Sequence, residues 1–152
     1  MRSPYDFMNV PAQLVSDFFA FFSRMEYALK AAGYVRGVRG RATPDWRRFG
    51  EVVAPQLDAV REQVILDAVA YLTNEPPLVQ TLKGWEHRVL KGNGRGERAI
   101  DAAQRVRHNL FHGGKHTPES KPGRDLRLVE SAYVVLKAAL ELEPHVEHAF
   151  SN

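Results

Sequence analysis

Arg105-Val106-Arg107-His108-Asn109-Leu110-Phe111-His112-Gly113-Gly114-Lys115 is the stretch on which the reading of this chain turns. Upstream and within it, Ile100, Ala103, Val106 and Leu110 recur at three- and four-residue steps. That spacing lines one side of an α-helix. Gly113-Gly114 is a helix stop. The pattern predicts a helix over 97–112 with an apolar stripe on one side and Arg, His and Asn side chains around the rest. Such a helix needs other helices to cover its stripe.

The flanking sequence supplies them. Over 12–32, Leu14, Phe18, Phe21/Phe22, Met25 and Leu29 follow the helical step, with Pro11 suited to the first turn and Gly33 to the stop. Phe18, Phe19, Phe21 and Phe22 make its apolar face wide, enough for a core and for contact with a second subunit. Glu26 in this helix is expected either to face inward and orient an arginine of the 105–112 stretch, or to pair with Lys30 on the surface. Residues 33–45, with three glycines and a proline, read as a loop. A short helix starting near Pro44 or Asp45 carries Trp46, Phe49 and Val52/Val53. A further helix spans 55–73, with Pro55 near its start, and ends at Asn74-Glu75-Pro76-Pro77. Residues 78–90, with Leu82, Trp85 and Val89, read as a helix interrupted by Gly84. Trp46 and Trp85 are expected as core anchors.

Lys91-Gly92-Asn93-Gly94-Arg95-Gly96 is a glycine-rich connection. It lacks the Gly-Lys-Ser/Thr ending and the preceding strand of a phosphate-cradling loop. Residues 115–123 are a loop by composition, and a last helix runs over 124–150 with Pro144 bending or breaking it. No alternating strand of useful length stands out. The expectation is an all-α, single-domain bundle of four to five helices over 1–152, with residues 1–10 an extended lead-in.

Composition narrows the chemistry. The chain has 152 residues, 44% of them hydrophobic, enough for a core without staples. It has no cysteine, which excludes disulfides, thiolate zinc sites and cysteine nucleophiles. No run of about 18 apolar residues occurs, and the first residues lack the basic-then-apolar layout of a signal peptide. A soluble cytoplasmic protein with no membrane association is expected. The net charge is +3, with a pI near 9.3. The excess is unevenly placed. Residues 35–48 carry Arg36, Arg39, Arg41, Arg47 and Arg48 against Asp45 alone. That distribution favours a polyanionic partner.

On a helix turning about 100° per residue, His108 and His112 share a face, Asn109 borders it, and Arg107 is offset from His112 by roughly 140°. Imidazole exchanges protons near neutral pH. Guanidinium holds phosphate oxygens and stays charged. RNA brings its own nucleophile, the 2′-hydroxyl. A proton carrier and a cation on the transferring phosphate are therefore the parts an RNA-cleaving site requires, and no cofactor is expected. Read for metal instead, His108, His112 and His116 stand at four-residue steps, but the Gly-Gly break and the absence of a nearby carboxylate argue against zinc.

Arg107-His108-Asn109-Leu110-Phe111-His112, an arginine followed by a polar residue and a histidine at a helix end, resembles the motif of the HEPN superfamily. Gly113-Gly114-Lys115 and the Phe-Phe-Ser-Arg-Met-Glu-Tyr-Ala-Leu-Lys stretch of 21–30 look similar to bacterial members of this size. The resemblance implies an HEPN-like helical fold and a metal-independent endoribonuclease, often a toxin or a phage- or plasmid-defence factor. It also implies a homodimer whose two motifs meet in one cleft, which would answer the angular offset of Arg107 and His112. A cognate antitoxin protein is a possible further partner. In this reading His112 is general base or acid, Arg107 stabilises phosphate charge, and Asn109 and His108 orient His112 or the scissile phosphate. Arg105, Lys115, Arg95 and Lys91 contact the RNA backbone. Against function, Arg105 and Arg107 read as helix charges paired with Asp101 or Glu97, and His112 as a residue favoured by the helix dipole. Two other functions stay open: a non-catalytic HEPN-like module binding a protein partner or nucleotide, and a helical regulator binding nucleic acid through the arginines of 36–48.

Overall fold

The computed structural model describes residues 1–113 and 120–152; Lys115 and His116 lie outside the described residues. The chain is mostly helical, with two small antiparallel hairpins. A short 3-10 turn, Pro4–Phe7, precedes α1 (Ala12–Ala31); β1 (Val35–Val38) and β2 (Arg41–Pro44) form the first hairpin. Then come α2 (Trp46–Ala59), α3 (Gln63–Asn74), the second hairpin of β3 (Val79–Thr81) and β4 (Gly84–Glu86), α4 (Arg95–Phe111), α5 (Arg124–Glu141) and α6 (Pro144–Ser151). No helix among the described residues is long and apolar enough to cross a membrane.

One connected core joins the helices. α4 packs on α2, α3 and α5, and its buried side is Ala99, Ile100, Ala102, Ala103, Val106 and Leu110. The small residues let neighbouring backbones approach closely. α1 contributes Phe18, Phe22, Met25, Ala28 and Leu29, and α5 contributes Leu128, Val129, Ala132, Val135 and Leu136. Each fully buried Leu, Phe or Met side chain stabilises the fold by roughly 1.5–3 kcal/mol relative to an exposed one. α6 docks back on α1, where Arg24 donates from Nε to the Phe150 carbonyl at 2.8 Å and from Nη2 to the Ala149 carbonyl at 3.2 Å. Those carbonyls belong to the last turn of α6, which has no helical donors of its own to offer them.

Several expectations are corrected. Residues 1–10 are not simply extended. The Ser3 hydroxyl accepts from the Tyr5 amide and Asp6 returns a bond to the Ser3 amide, a capping box that winds Pro4–Phe7 into a turn. Residues 33–45 are a hairpin, because Arg39 (φ 50°) and Gly40 (φ 75°) form the two-residue turn with positive φ at both positions that antiparallel strands prefer. Pro55 does not open a helix but sits inside α2. Both Pro55 and Glu51, whose carbonyl loses its donor, are exposed, so water can take the amide's place. The chain breaks instead after Ala59, where Arg61 donates to the carbonyls of Asp58 and Val60. Residues 78–90 are not helical. Thr81 accepts from the Lys83 amide at 3.1 Å and donates to the Gly84 carbonyl at 3.1 Å, closing the β3–β4 turn. Leu82 and Val89, whose spacing suggested a buried stripe, are fully solvated at 108% and 92% exposure. Trp85 is only half-buried, whereas Trp46 is a core residue. Over 124–150, where Pro144 is expected to bend or break the helix, the chain is broken into two helices. Pro144 opens α6, and Glu143 caps it by accepting from the Val146 amide at 2.8 Å.

Candidate functional site

Everything chemical in the 105–113 stretch sits at the C-terminal end of α4. His112 is its C-cap, and Gly113 follows at φ 78°, the left-handed turn that ends many helices. The side chains here divide into two sets by what they touch.

Arg105 and Asn109, one helical turn apart, point at the irregular segment between α3 and α4. Arg105 donates from Nη1 to the carbonyls of Pro77 at 3.2 Å and Arg88 at 2.8 Å, and from Nη2 to Val89 at 3.2 Å. Its Nη2 also meets Asp101 Oδ2 at 3.4 Å. The side chain is 13% exposed. Burial lowers its pKa, the Asp101 charge opposes that, and Arg88 adds to it; guanidinium nevertheless stays protonated. Asn109, 4% exposed, donates to the Leu78 carbonyl at 2.8 Å. Asp101 Oδ2 accepts from the Lys91 amide at 3.0 Å. At the start of the same segment, Arg124 donates to the carbonyls of Glu75 and Pro76. A non-helical stretch lacks a ladder for its carbonyls. These side chains provide one, and so hold the β3–β4 hairpin on the bundle.

Arg107, His108, Phe111 and His112 form the other set. The Arg107 guanidinium lies over two aromatic rings, 5.1 Å from the Phe22 centroid and 5.4 Å from that of Phe111. Among the described residues no carboxylate or carbonyl pairs with it. Rings of this kind hold a guanidinium in place by its face and leave its N–H edge for other acceptors. His108 and His112 stack with centroids 4.3 Å apart and planes tilted by 37°. Burial, the His112 ring and the Arg107 charge together hold His108 below the ordinary imidazole pKa. A neutral His108 is available as a proton acceptor at neutral pH. Arg107 therefore acts on His108 electrostatically, and His108 touches His112. The roughly 140° offset of a bare helical wheel is bridged by the residue between them.

Around this set, Phe19 meets Phe111 edge-on at 5.1 Å while remaining 53% exposed. Phe22 stacks at 5.0 Å on Trp46, whose indole N–H donates to Glu26 Oε1 at 3.3 Å. Glu26 thus pairs with neither of its expected partners, an arginine of the motif or Lys30. It positions Trp46, which packs on the ring that carries Arg107. The one sequence signal for this contact was Glu26 lying one helical turn from Phe22.

The remaining candidates fall elsewhere. Lys115 is outside the described residues. Arg95 stands at the opposite end of α4, about 25 Å from His112 at 1.5 Å per residue, and Lys91 lies alongside the helix, its amide donating to Asp101. Arg95 there lines a cleft of about 360 Å³ with Arg88, Arg98, Thr73, Asn74, Pro76, Val89 and Leu90. Sequence reasoning missed that Arg88 and Arg98 join Arg95, since the three converge only through the hairpin segment. Of the histidines weighed as zinc ligands, His116 is outside the described residues; among those described, no three His, Asp or Glu side chains are grouped to hold a metal. Compared with known proteins, the chain matches no family model, and no match is found among curated proteins or solved structures.

Proposed function

We propose that this protein is an HEPN-like, metal-independent endoribonuclease, acting as a toxin or defence factor. The observation that carries the reading is the contiguous Arg107–His108–His112 set: an arginine held by rings, its N–H edge uncommitted among the described residues, beside two stacked imidazoles of which one has its pKa lowered. In the reaction a neutral imidazole takes the 2′-hydroxyl proton. The 2′-oxygen attacks phosphorus, the bond to the 5′-oxygen breaks, and a protonated imidazole gives that oxygen its proton. The products are a 2′,3′-cyclic phosphate and a 5′-hydroxyl. His108 suits the acceptor role, with His112 as donor. Arg107 binds the non-bridging oxygens as charge builds on them.

A homodimer places two such sets in one cleft. Phe19, exposed beside Phe111, is an apolar neighbour of the site that a second copy would cover. A cognate antitoxin would reach the same surface. The test is RNA cleavage by the purified full chain. His112→Ala and Arg107→Ala should each lose about 10²–10³-fold in rate with thermal midpoints lowered by no more than about 4 °C. Undiminished cleavage by either variant removes the proposal.

The cleft at the far end of α4 favours a second reading, a non-catalytic module binding a nucleotide. Three arginines with an apolar wall of Pro76, Val89 and Leu90 suit a phosphate-bearing ligand of that size. On that reading a nucleoside triphosphate binds the chain, and no RNA is cleaved by either the wild type or its variants.

A further inference from the structure

The β1–β2 hairpin is a basic ribbon with no packing duty over most of its length. All of β1 is exposed, as are Arg39, Gly40, Arg41 and Ala42. The register pairs Arg36 with Thr43 and Val38 with Arg41. Cross-strand partners and alternate residues share a face, so Arg36, Val38, Arg41 and Thr43 line one side of the ribbon. Arg39 stands at its tip. Residues 33–44 contain no acid, and among the described residues none of these three guanidinium groups has an ion-pair or hydrogen-bond partner. An isolated two-stranded hairpin is marginal in water, so a ribbon like this gains little for the fold.

The turn itself is built against stability. Arg39 is the one non-glycine residue at positive φ among those described, at φ 50°. Gly or Asn is favoured at that position, and a long side chain in the left-handed region is strained. The strain places a third cation at the tip.

The ribbon's base adjoins the catalytic set. β2 leads through Asp45 into Trp46, and the Tyr34 carbonyl at the other strand's root accepts from the Asp45 amide at 2.9 Å. Trp46 stacks on Phe22, and Phe22 carries Arg107. Two rings, Trp46 and Phe22, thus separate the root of the ribbon from the motif arginine. Arg95, by contrast, lies at the far end of α4, and Lys91 sits beside Asp101.

From these observations we infer that the β1–β2 ribbon is the docking element for the substrate strand: Arg36, Arg39 and Arg41 hold successive phosphates of single-stranded RNA and lead it to Arg107 and the paired histidines. This deepens the ribonuclease reading and rests on it for the word substrate. The binding claim stands separately.

The experiment measures binding of a fluorescent single-stranded oligoribonucleotide to the full chain in a His112→Ala background, in which turnover is slow. Replacing Arg36, Arg39 and Arg41 by Ala should weaken binding about tenfold or more and flatten the salt dependence of log K by about two, at roughly 0.7 per phosphate contact. Arg39→Gly alone should weaken binding while raising the thermal midpoint, a combination that damage to the fold cannot produce. Cleavage by the wild-type chain together with unchanged binding by the triple variant overturns the ribbon and leaves the nuclease reading intact. Ribbon-dependent binding with no cleavage by the wild-type chain supports the ribbon and removes the nuclease. Binding to anionic vesicles or an acidic peptide with none to RNA overturns the ribbon assignment.

Discussion

Arg105 and Arg107 are two residues apart on one helix, and they live in opposite chemical worlds. Arg105, with Asn109 one turn on, is spent on backbone carbonyls: Pro77, Arg88 and Val89 for the arginine, Leu78 for the asparagine. Arg107, with His108 and His112, touches rings and, among the described residues, leaves its polar edge uncommitted. The two sides of α4 carry the same residue types but not the same work. A polar group whose bonds are all satisfied within the fold is paid back in stability, whereas one held only by ring faces is poised for a ligand.

The contrast is open to attack at three points. The largest effect belongs to Arg105→Ala, which leaves three carbonyls without their donor and Asp101 without its cation and should cost about 3 kcal/mol. In a chain of this size that lowers the thermal midpoint by roughly 6–12 °C, read by calorimetry. The same substitution at Arg107 should cost less than about 1 kcal/mol, the worth of its ring contacts. Were Arg105→Ala to keep full stability and lose only RNA affinity, the division between the two sides would be wrong. Next, Asn109→Ala leaves the Leu78 carbonyl without its donor and should cost about 1–2 kcal/mol. Amide exchange should quicken in the β3–β4 segment before it does in the helices. Exchange that is uniform or unchanged would mean Asn109 does not hold that segment.

The smallest effect is in pH. His108 has a folded pKa below its unfolded value of about 6.5, so the unfolded chain binds the extra proton first. Stability from this group is therefore complete above about pH 6.5 and is lost as pH falls through the lower folded value. His108→Gln should flatten the acid side of the stability profile. The acid limb of the cleavage rate should also lie below pH 6.5 in the wild type. A proton titration of His108 by NMR that shows a raised value would reverse both signs.

Helix α1 was legible because Leu14, Phe18, Met25 and Leu29 keep one period from end to end, and α4 and α5 for the same reason. The hairpins were not. Along β1 every residue is exposed, so no buried–exposed alternation marks it as a strand. The clue was Arg39-Gly40, and arginine is an unusual first residue for that turn. In 78–90, Leu82, Trp85 and Val89 copied the helical step while two of the three ended in water. Of the candidate site, the Arg107, His108 and His112 neighbourhood was legible because it lies on consecutive turns of one helix. That Arg105 and Asn109 serve the fold was hidden, since their partners are carbonyls 16 to 31 residues away, and carbonyls leave no trace in a sequence.

The packing of Trp46 has a practical corollary. The chain holds two tryptophans: Trp46, 9% exposed between Phe22 and Phe49, and Trp85, half-buried on β4. Their emission should therefore differ in colour and in access to a soluble quencher such as iodide. Trp46 thus adjoins the ring-held side of α4 and Trp85 the hairpin that the other side holds, so ligand arriving at one side of the helix can be told from ligand arriving at the other without attaching a dye.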